Sequence, residues 1–279
     1  MTTIQSALHA ARNRIAPVSE SASLDAQVLL AELLNVNRAY LLAHGDAALT
    51  PEQAARYGEW VQRRADGEPV AYILGRRAFY DRELRVAPSV LIPRPETELL
   101  LEAALNFVQG SADCAAADIG TGSGALAVTF AANCPNAAVY AVDLSPLALD
   151  IARQNAALHA VEVTFLEGDL LQPLIERGLK INVLMANLPY IAHDELPTLA
   201  VSQYEPRLAL DGGTDGLDLV RRLLADVRKV CNPGALVLLE IGAAQGAAAV
   251  ALAQELAHPQ AVDVLQDYAG LDRIVRIRL

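Results

Sequence analysis

No stretch of about 18 uncharged apolar residues occurs in the sequence, so no helical membrane span is expected. The alanine-rich tract near 243–253 is apolar, but it lies between Glu240 and Glu255 and contains Gln245 and Gly246, which suits a packed helix. No secretory h-region is read near the start, and a secretory leader is not expected. Arg12, Arg14 and the serines after them have some character of an organelle transit peptide, but Glu20 and Asp25 interrupt it early. Cysteine is scarce: Cys114, Cys134 and Cys231 form no CxxC pair and are odd in number, which argues against a disulfide framework or zinc site and for free thiols in a reducing cytoplasm. Positive charge is in deficit too. The net charge is -11; residues 1–85 hold 10 basic and 10 acidic side chains, whereas 86–279 hold 12 and 23. A broad DNA-binding face needs the opposite sign to neutralise phosphates. The cluster Arg63, Arg64, Arg76, Arg77, Arg82 and Arg85 is a small basic patch that reads as a solvated arginine-rich face. The five histidines are scattered, and neither a Ser/His/Asp arrangement nor a metal-binding cluster stands out.

What is present is a change of pattern along 279 residues, enough for one large domain or for a small domain and a medium one. Residues 1–75 read as short helices, with a stripe through Leu24, Val28 and Ala31 to Leu34, and with a capping box at Thr50-Pro51-Glu52-Gln53. Ala78-Phe79-Tyr80 and Leu84-Arg85-Val86 flank Asp81-Arg82 as a β-hairpin. The segment Leu91-Ile92-Pro93-Arg94-Pro95-Glu96-Thr97-Glu98 follows, stiffened by its prolines, and leads into a helix from Leu99 to Val108. Strands are then predicted at 115–119, 138–142, 162–166, 181–186 and 235–241, with helices near 124–133, 146–158, 217–230 and 244–256. The last two strands, 261–266 and 273–279, should form an antiparallel hairpin. Alternating strands and helices imply an α/β fold with a parallel, doubly wound sheet. The expected organisation is a helical domain 1–75, a hairpin and proline-rich linker 76–98, and a third part 99–279.

Asp118-Ile119-Gly120-Thr121-Gly122-Ser123-Gly124 ends the first of those strands and opens a helix. Glycines there permit a tight turn and close approach of a ligand, although a plain βα turn can look the same. Asp143 ends the next strand, 19 positions after Gly124, where a carboxylate can accept from both hydroxyls of a ribose. Asp169, after the third strand, is placed to accept from an adenine amino group, with Leu170 packing on the ring. The spacing is G-x-G-x-G, not the dinucleotide fingerprint G-x-G-x-x-G. Acidic flanks suit S-adenosylmethionine, which carries a sulfonium and no phosphate, better than NAD, which brings a negative pyrophosphate. An NAD-dependent oxidoreductase is the competing reading.

Asn187-Leu188-Pro189-Tyr190 follows the apolar run Ile181 to Ala186. An amide, a rigid extended turn and an aromatic face at a strand's end can grip a planar NH2-bearing group, though Asn-x-Pro-Tyr also makes an ordinary strand exit. With a methyl donor nearby, the chemistry suggested is methylation of an amide or amino nitrogen. His193 is the nearest histidine and is read as structural or exposed, not as an acid or base.

With these motifs the chain resembles the release-factor glutamine methyltransferase (PrmC/HemK) family of class I S-adenosylmethionine-dependent methyltransferases. The resemblance covers nearly the whole length and is carried by the Gly67-Glu68-Pro69 turn, the Ile92-Pro93-Arg94-Pro95-Glu96-Thr97-Glu98 segment, the glycine loop and Asn187-Leu188-Pro189-Tyr190. It implies a Rossmann-like, mostly parallel seven-stranded sheet with a C-terminal antiparallel hairpin, plus a small N-terminal helical substrate-recognition domain. It further implies cofactor contacts at Gly120, Thr121, Gly122, Ser123, Gly124, Asp143, Leu170 and Asn187, which join Asp169, and substrate contacts at Asn187, Leu188, Pro189 and Tyr190, with Asn187 and Tyr190 catalytic. The family usually has two prolines in the last motif, and Leu188 replaces the first here; the backbone carbonyl is what is recruited there, and Pro189 still keeps residue 188 extended. The implied reaction converts S-adenosyl-L-methionine to S-adenosyl-L-homocysteine without a metal and methylates the Gly-Gly-Gln glutamine of class 1 peptide-chain release factors. A glutamine of a large-subunit ribosomal protein and, less favoured, a nucleic-acid base remain alternatives. The expected setting is a cytoplasmic monomer that engages neither DNA nor membrane.

Overall fold

The computed structural model describes residues 2–109 and 114–279. It divides into two compact units, one up to Arg76 and one from Arg77 to Leu279. The first holds helices α1 (Ile4–Ile15), α2 (Ala22–Leu34), α3 (Arg38–Ala43), α4 (Pro51–Ala65) and α5 (Val70–Leu74). Two capping boxes start helices here, the expected one at Thr50 and Gln53 and another at Thr3 and Ser6. The buried face of α2 runs through Ala22, Ala26, Leu29 and Leu30, while Leu24 points outward. The predicted stripe through Leu24 and Val28 is therefore off by one step around the helix. The cause is Asp25, which is drawn inward by the Arg64 guanidinium at 2.8 Å and by the Ser19 and Ser21 hydroxyls. A buried carboxylate that is paired and hydrogen-bonded can occupy a core-facing position that hydropathy alone assigns to leucine.

A hairpin, β1 (Arg76–Phe79) and β2 (Arg82–Arg85), starts at the boundary, and the second unit continues with helix α6 (Thr97–Val108) and a sheet wound with helices on both faces. Its elements are β3 (Ala115–Ile119), α7 (Ala125–Asn133), β4 (Ala138–Asp143), α8 (Pro146–Leu158), β5 (Thr164–Glu167), α9 (Gln172–Glu176), β6 (Ile181–Ala186), α10 (Asp218–Val230), β7 (Cys231–Glu240), α11 (Gly246–Ala257), β8 (Ala261–Gln266) and β9 (Asp272–Arg278). The seven strands lie in the order β5-β4-β3-β6-β7-β9-β8, parallel except for β9, which is antiparallel to both neighbours. One face packs Leu100, Leu101 and Phe130 against Val183 and Met185; the other packs Leu223, Leu224 and Ala253 against Leu184 and Val237. Covered on both sides, the central strands read as continuous apolar runs.

Two strands start where the sequence pattern does not place them. β5 occupies 164–167, and β7 begins at Cys231, ahead of Pro233 and Gly234. Ile181 pairs with Cys231, but Val183 pairs with Leu236, so an irregularity accommodates the turn-forming residues at the strand's beginning. Among the described residues no helix is long and apolar enough to cross a membrane.

Candidate active site

The sheet reverses its winding between β3 and β6, and ligands of open α/β sheets bind outside the carboxyl ends of strands at such a switch point. The loop after β3 and the motif after β6 meet there. Gly120, Gly122 and Gly124 have φ of +74°, +55° and +80°, a conformation that side chains with a Cβ rarely adopt. The turn is fixed by the Gly120 and Thr121 N–H groups, which both donate to the Val142 carbonyl at 2.8 and 3.0 Å. A methyl placed on Gly120 would stand 3.1 Å from the Leu188 side chain, and one on Gly124 would stand 3.1 Å from Ala152 and Val128. At Gly122 a methyl would meet nothing within 4 Å, so this part of the loop borders open space.

Two carboxylates brace the loop. Asp118 is fully buried and accepts from the Thr121 hydroxyl at 2.6 Å and the Ala127 N–H at 3.1 Å; burial nevertheless pushes its carboxyl up to about 7. Asp143 accepts from the Gly122 N–H and from the Ser145 N–H, each at 2.8 Å, and burial raises its carboxyl above the usual range against those bonds. Each Asp143 oxygen has a second lone pair, which suits a ribose diol. The Gly168 N–H donates to the Asp143 carbonyl at 3.0 Å, which brings the exit of β5 beside that of β4. There Asp169 is half-exposed and paired with Arg222 of α10, and Leu170 adopts a left-handed φ of +48°. Open space over Gly122 and the remaining lone pairs of Asp143 suit S-adenosylmethionine, and the acidic carboxyl of Asp143 disfavours a pyrophosphate there.

Among curated relatives, the chain is 44% identical to the release factor glutamine methyltransferase of Moorella thermoacetica, over 98% of this chain and 97% of the relative. It is 42% identical to that of Cereibacter sphaeroides over the same shares, and 39% to that of Bacillus anthracis over 89% of this chain and 90% of the relative. Family models described as the PrmC N-terminal domain and as a methyltransferase domain match residues 6–75 and 116–204. The chain belongs to the release factor glutamine methyltransferase family. It is an S-adenosylmethionine-dependent methyltransferase. Solved structures agree on the fold: a ribosomal protein L11 methylase from Lactobacillus delbrueckii subsp. bulgaricus aligns with TM-score 0.51 at 20% identity, covering 72% of this chain and 88% of that one. A 16S rRNA N2 methyltransferase of T. thermophilus, solved with AdoMet and guanosine, aligns with TM-score 0.54 at 17% identity, covering 73% and 49%.

Around the family's motif the tertiary structure brings together residues to which the sequence reading assigns no role at the site. Asn187 donates from Nδ2 to the Thr97 hydroxyl at 3.0 Å, and Thr97 donates to buried Glu240 at 2.7 Å. The Tyr190 hydroxyl lies 3.4 Å from the other Glu240 oxygen, and burial beside that carboxylate pushes the phenol up to about 12. Among the described residues, nothing donates to Asn187 Oδ1 or to the Leu188 carbonyl. Leu188 itself is buried in the core under Gly120. Gln245 donates to the Tyr190 carbonyl at 3.0 Å and accepts from the Gly242 N–H at 2.8 Å. Gly216, at φ +76°, lies so close that a methyl on it would stand 2.2 Å from the Tyr190 carbonyl oxygen. Glu205, also buried, accepts from the Ile92 N–H at 3.0 Å and pairs with Arg94 at 2.5 Å, which straps the proline-rich segment to the loop beyond the motif. His193 is exposed and bonds to Asp211, away from the Asn187 amide network. Most of the arginine cluster is neutralised: Arg63 pairs with Glu68, Arg64 with Asp25, Arg76 with Glu32 and Arg82 with Asp81.

Proposed function

We propose that this chain methylates the side-chain amide nitrogen of the Gly-Gly-Gln glutamine in class 1 peptide-chain release factors. The observation that carries the reading is the amide of Asn187, held by its NH2 end so that Oδ1, like the Leu188 carbonyl, is left open to accept. An amide nitrogen is a poor nucleophile because its lone pair is delocalised into the carbonyl. Two acceptors set for its two hydrogens fix the amide so that the nitrogen lone pair faces the donor, while Tyr190 covers the flat face. Positioning of this kind can lower a barrier by roughly 7–11 kcal/mol. Oxygen acceptors also stabilise the positive charge that develops on nitrogen. Gly120 to Gly124, Asp143, Asp169 and Leu170 are the residues proposed to hold S-adenosyl-L-methionine, which supplies an electrophilic methyl group when bound. The proton leaves afterwards to water, so the site needs no strong base, and among the described residues none bonds directly to the Asn187 amide.

The unit up to Arg76 is the proposed docking element for the release factor. Its family match supports this, as does the ion-paired state of the arginine cluster, which leaves little free positive charge for nucleic acid. The proposed setting is the cytoplasm, where release factors work. Incubating the full chain with labelled S-adenosylmethionine and, separately, a release factor, the large-subunit ribosomal protein and DNA tests the reading, with the methyl mapped by mass spectrometry. Label in the Gly-Gly-Gln peptide is the expected result. Label confined to the ribosomal protein or to DNA overturns it.

A further inference from the structure

An asparagine amide has an acceptor at one end and a donor at the other, and the two ends are nearly the same shape. The proposed transfer uses only the acceptor end of Asn187, so the protein has to dictate which end faces the site. Thr97 stands at the first turn of α6, buried, with Oγ1 3.0 Å from Asn187 Nδ2 and 2.7 Å from Glu240 Oε2. A hydroxyl has one hydrogen and two lone pairs. An ionised carboxylate can only accept, so the Thr97 hydrogen goes to Glu240 and a lone pair is what remains toward Asn187. Only the NH2 end of the amide can meet that lone pair. Asn187 and Glu240 are 90 and 143 positions from Thr97 along the chain; the Thr97–Glu240 contact is buried and the Asn187–Thr97 contact partly so.

We infer that Thr97 and Glu240 are positioning residues that lock the Asn187 amide with its oxygen toward the substrate, and that the ionised state of Glu240 sets the polarity of the lock. The inference rests on the proposed amide methylation. If Glu240 takes up a proton, its carboxyl can donate to Thr97 Oγ1; the Thr97 hydrogen then turns to Asn187 and favours the flipped amide. That flipped amide presents NH2 to the NH2 of the substrate, donor against donor. The groups facing Glu240 are Arg273 on β9, which favours the charged form, Glu96 beside Thr97, which opposes it, and the Tyr190 hydroxyl, which donates to it. Burial outweighs them and brings the carboxyl up to about 7. Turnover should therefore fall as pH drops through neutrality, while cofactor binding at Asp143 is unaffected by this proton.

The test uses the full chain with release factor and S-adenosylmethionine, and the variants Thr97→Val, Thr97→Ser and Glu240→Gln. Thr97→Val keeps the shape and removes the hydroxyl; it should lower kcat about 10- to 100-fold, the scale of a misplaced catalytic group, without changing cofactor affinity. Thr97→Ser should restore most of the loss, which a packing role for the γ-methyl would not predict. Glu240→Gln still accepts from Thr97 but cannot titrate, so the acidic limb of its kcat profile should vanish. Wild-type kcat in Thr97→Val, or an unchanged acidic limb in Glu240→Gln, overturns the inference. Should Thr97→Val fail to fold by circular dichroism, Thr97→Ser and Glu240→Gln decide. A wild-type chain inactive on release factors would refute the proposed substrate instead; the lock is then read in 15N-labelled protein. There the Asn187 side-chain NH2, its exchange rate taken relative to that of a free asparagine amide at the same pH, should be more protected at pH 8 than at pH 6, and equal protection at both overturns the lock.

Discussion

Replacing Gly122 with alanine separates the loop's role in folding from its proposed role in cofactor binding. The residue sits at φ +55°, so an alanine there costs about 1–2 kcal/mol of backbone strain. Its new methyl meets nothing within 4 Å, and its N–H can still donate to Asp143, so no packing penalty is added. For a unit of this size each kcal/mol is about 2–4 °C, and Tm should drop by about 2–8 °C. The methyl instead occupies the space assigned to S-adenosylmethionine, and affinity should fall about 10- to 100-fold, equivalent to about 1.4–2.8 kcal/mol. Gly124→Ala is the control with the reverse pattern. Its methyl would press on Ala152 and Val128 at 3.1 Å, adding about 1–3 kcal/mol of overpacking to a similar strain, while pointing into the protein. Thermal unfolding with and without S-adenosylmethionine, together with titration calorimetry, reads both quantities: a saturating ligand raises wild-type stability by about 2.7 kcal/mol at 100 times its Kd. Wild-type cofactor affinity in Gly122→Ala would refute the assignment of this loop as the cradle.

Three further outcomes are expected. Asn187→Ala should reduce methyl transfer at least about 100-fold with a near-wild-type unfolding curve, because the side chain is only partly buried; near-normal turnover would sink the positioning mechanism. Gln245→Ala removes the donor to the Tyr190 carbonyl and the acceptor for the Gly242 N–H, so it should cost about 1–3 kcal/mol of stability and lower kcat more than cofactor affinity; an unchanged kcat would show that Tyr190 is held by other means. The cofactor-free protein should lose stability as pH rises from about 5 to 8. Asp118 and Glu240 are raised to about 7 in the folded chain, so between the ordinary carboxylate range and neutrality the native state binds more protons than the unfolded one. Asp211, Asp215 and Asp267 are shifted downward and act only at lower pH. A Tm that climbs across that window, or a slope unaltered by Asp118→Asn, would contradict the burial of these carboxyls.

The features legible in the sequence are those that depend on neighbours a few residues apart. Period-2 and period-3.6 patterning gave the order of strands and helices, and buried parallel strands announce themselves as apolar runs because both faces are covered. The glycine loop could be read because its left-handed turn needs glycine locally, and Asp143 because it stands at a fixed place after the next strand. Asn187-Leu188-Pro189-Tyr190 was legible as a contiguous motif. Helix α9 was missed because five residues are too few to establish a period, and the inner face of α2 was misread because an ion pair with Arg64, 39 positions away, overrode hydropathy.

Decisions that join distant segments belong to the tertiary structure alone. Nothing around Thr97 or Glu240 marks them as partners of Asn187, since a threonine opening a helix and a glutamate ending a strand each have an ordinary local use. Gly216 reads as a turn glycine until the Tyr190 carbonyl is found against it, and Glu205 reads as a surface carboxylate until Ile92 and Arg94 are found upon it. The sequence by itself determined the fold class, and it marked out the glycine loop proposed to hold the methyl donor and the motif proposed to grip an amide. Only the folded chain decided which end of the Asn187 amide faces outward, because hydrogen-bond polarity is set by groups in space, and no spacing along a chain encodes it.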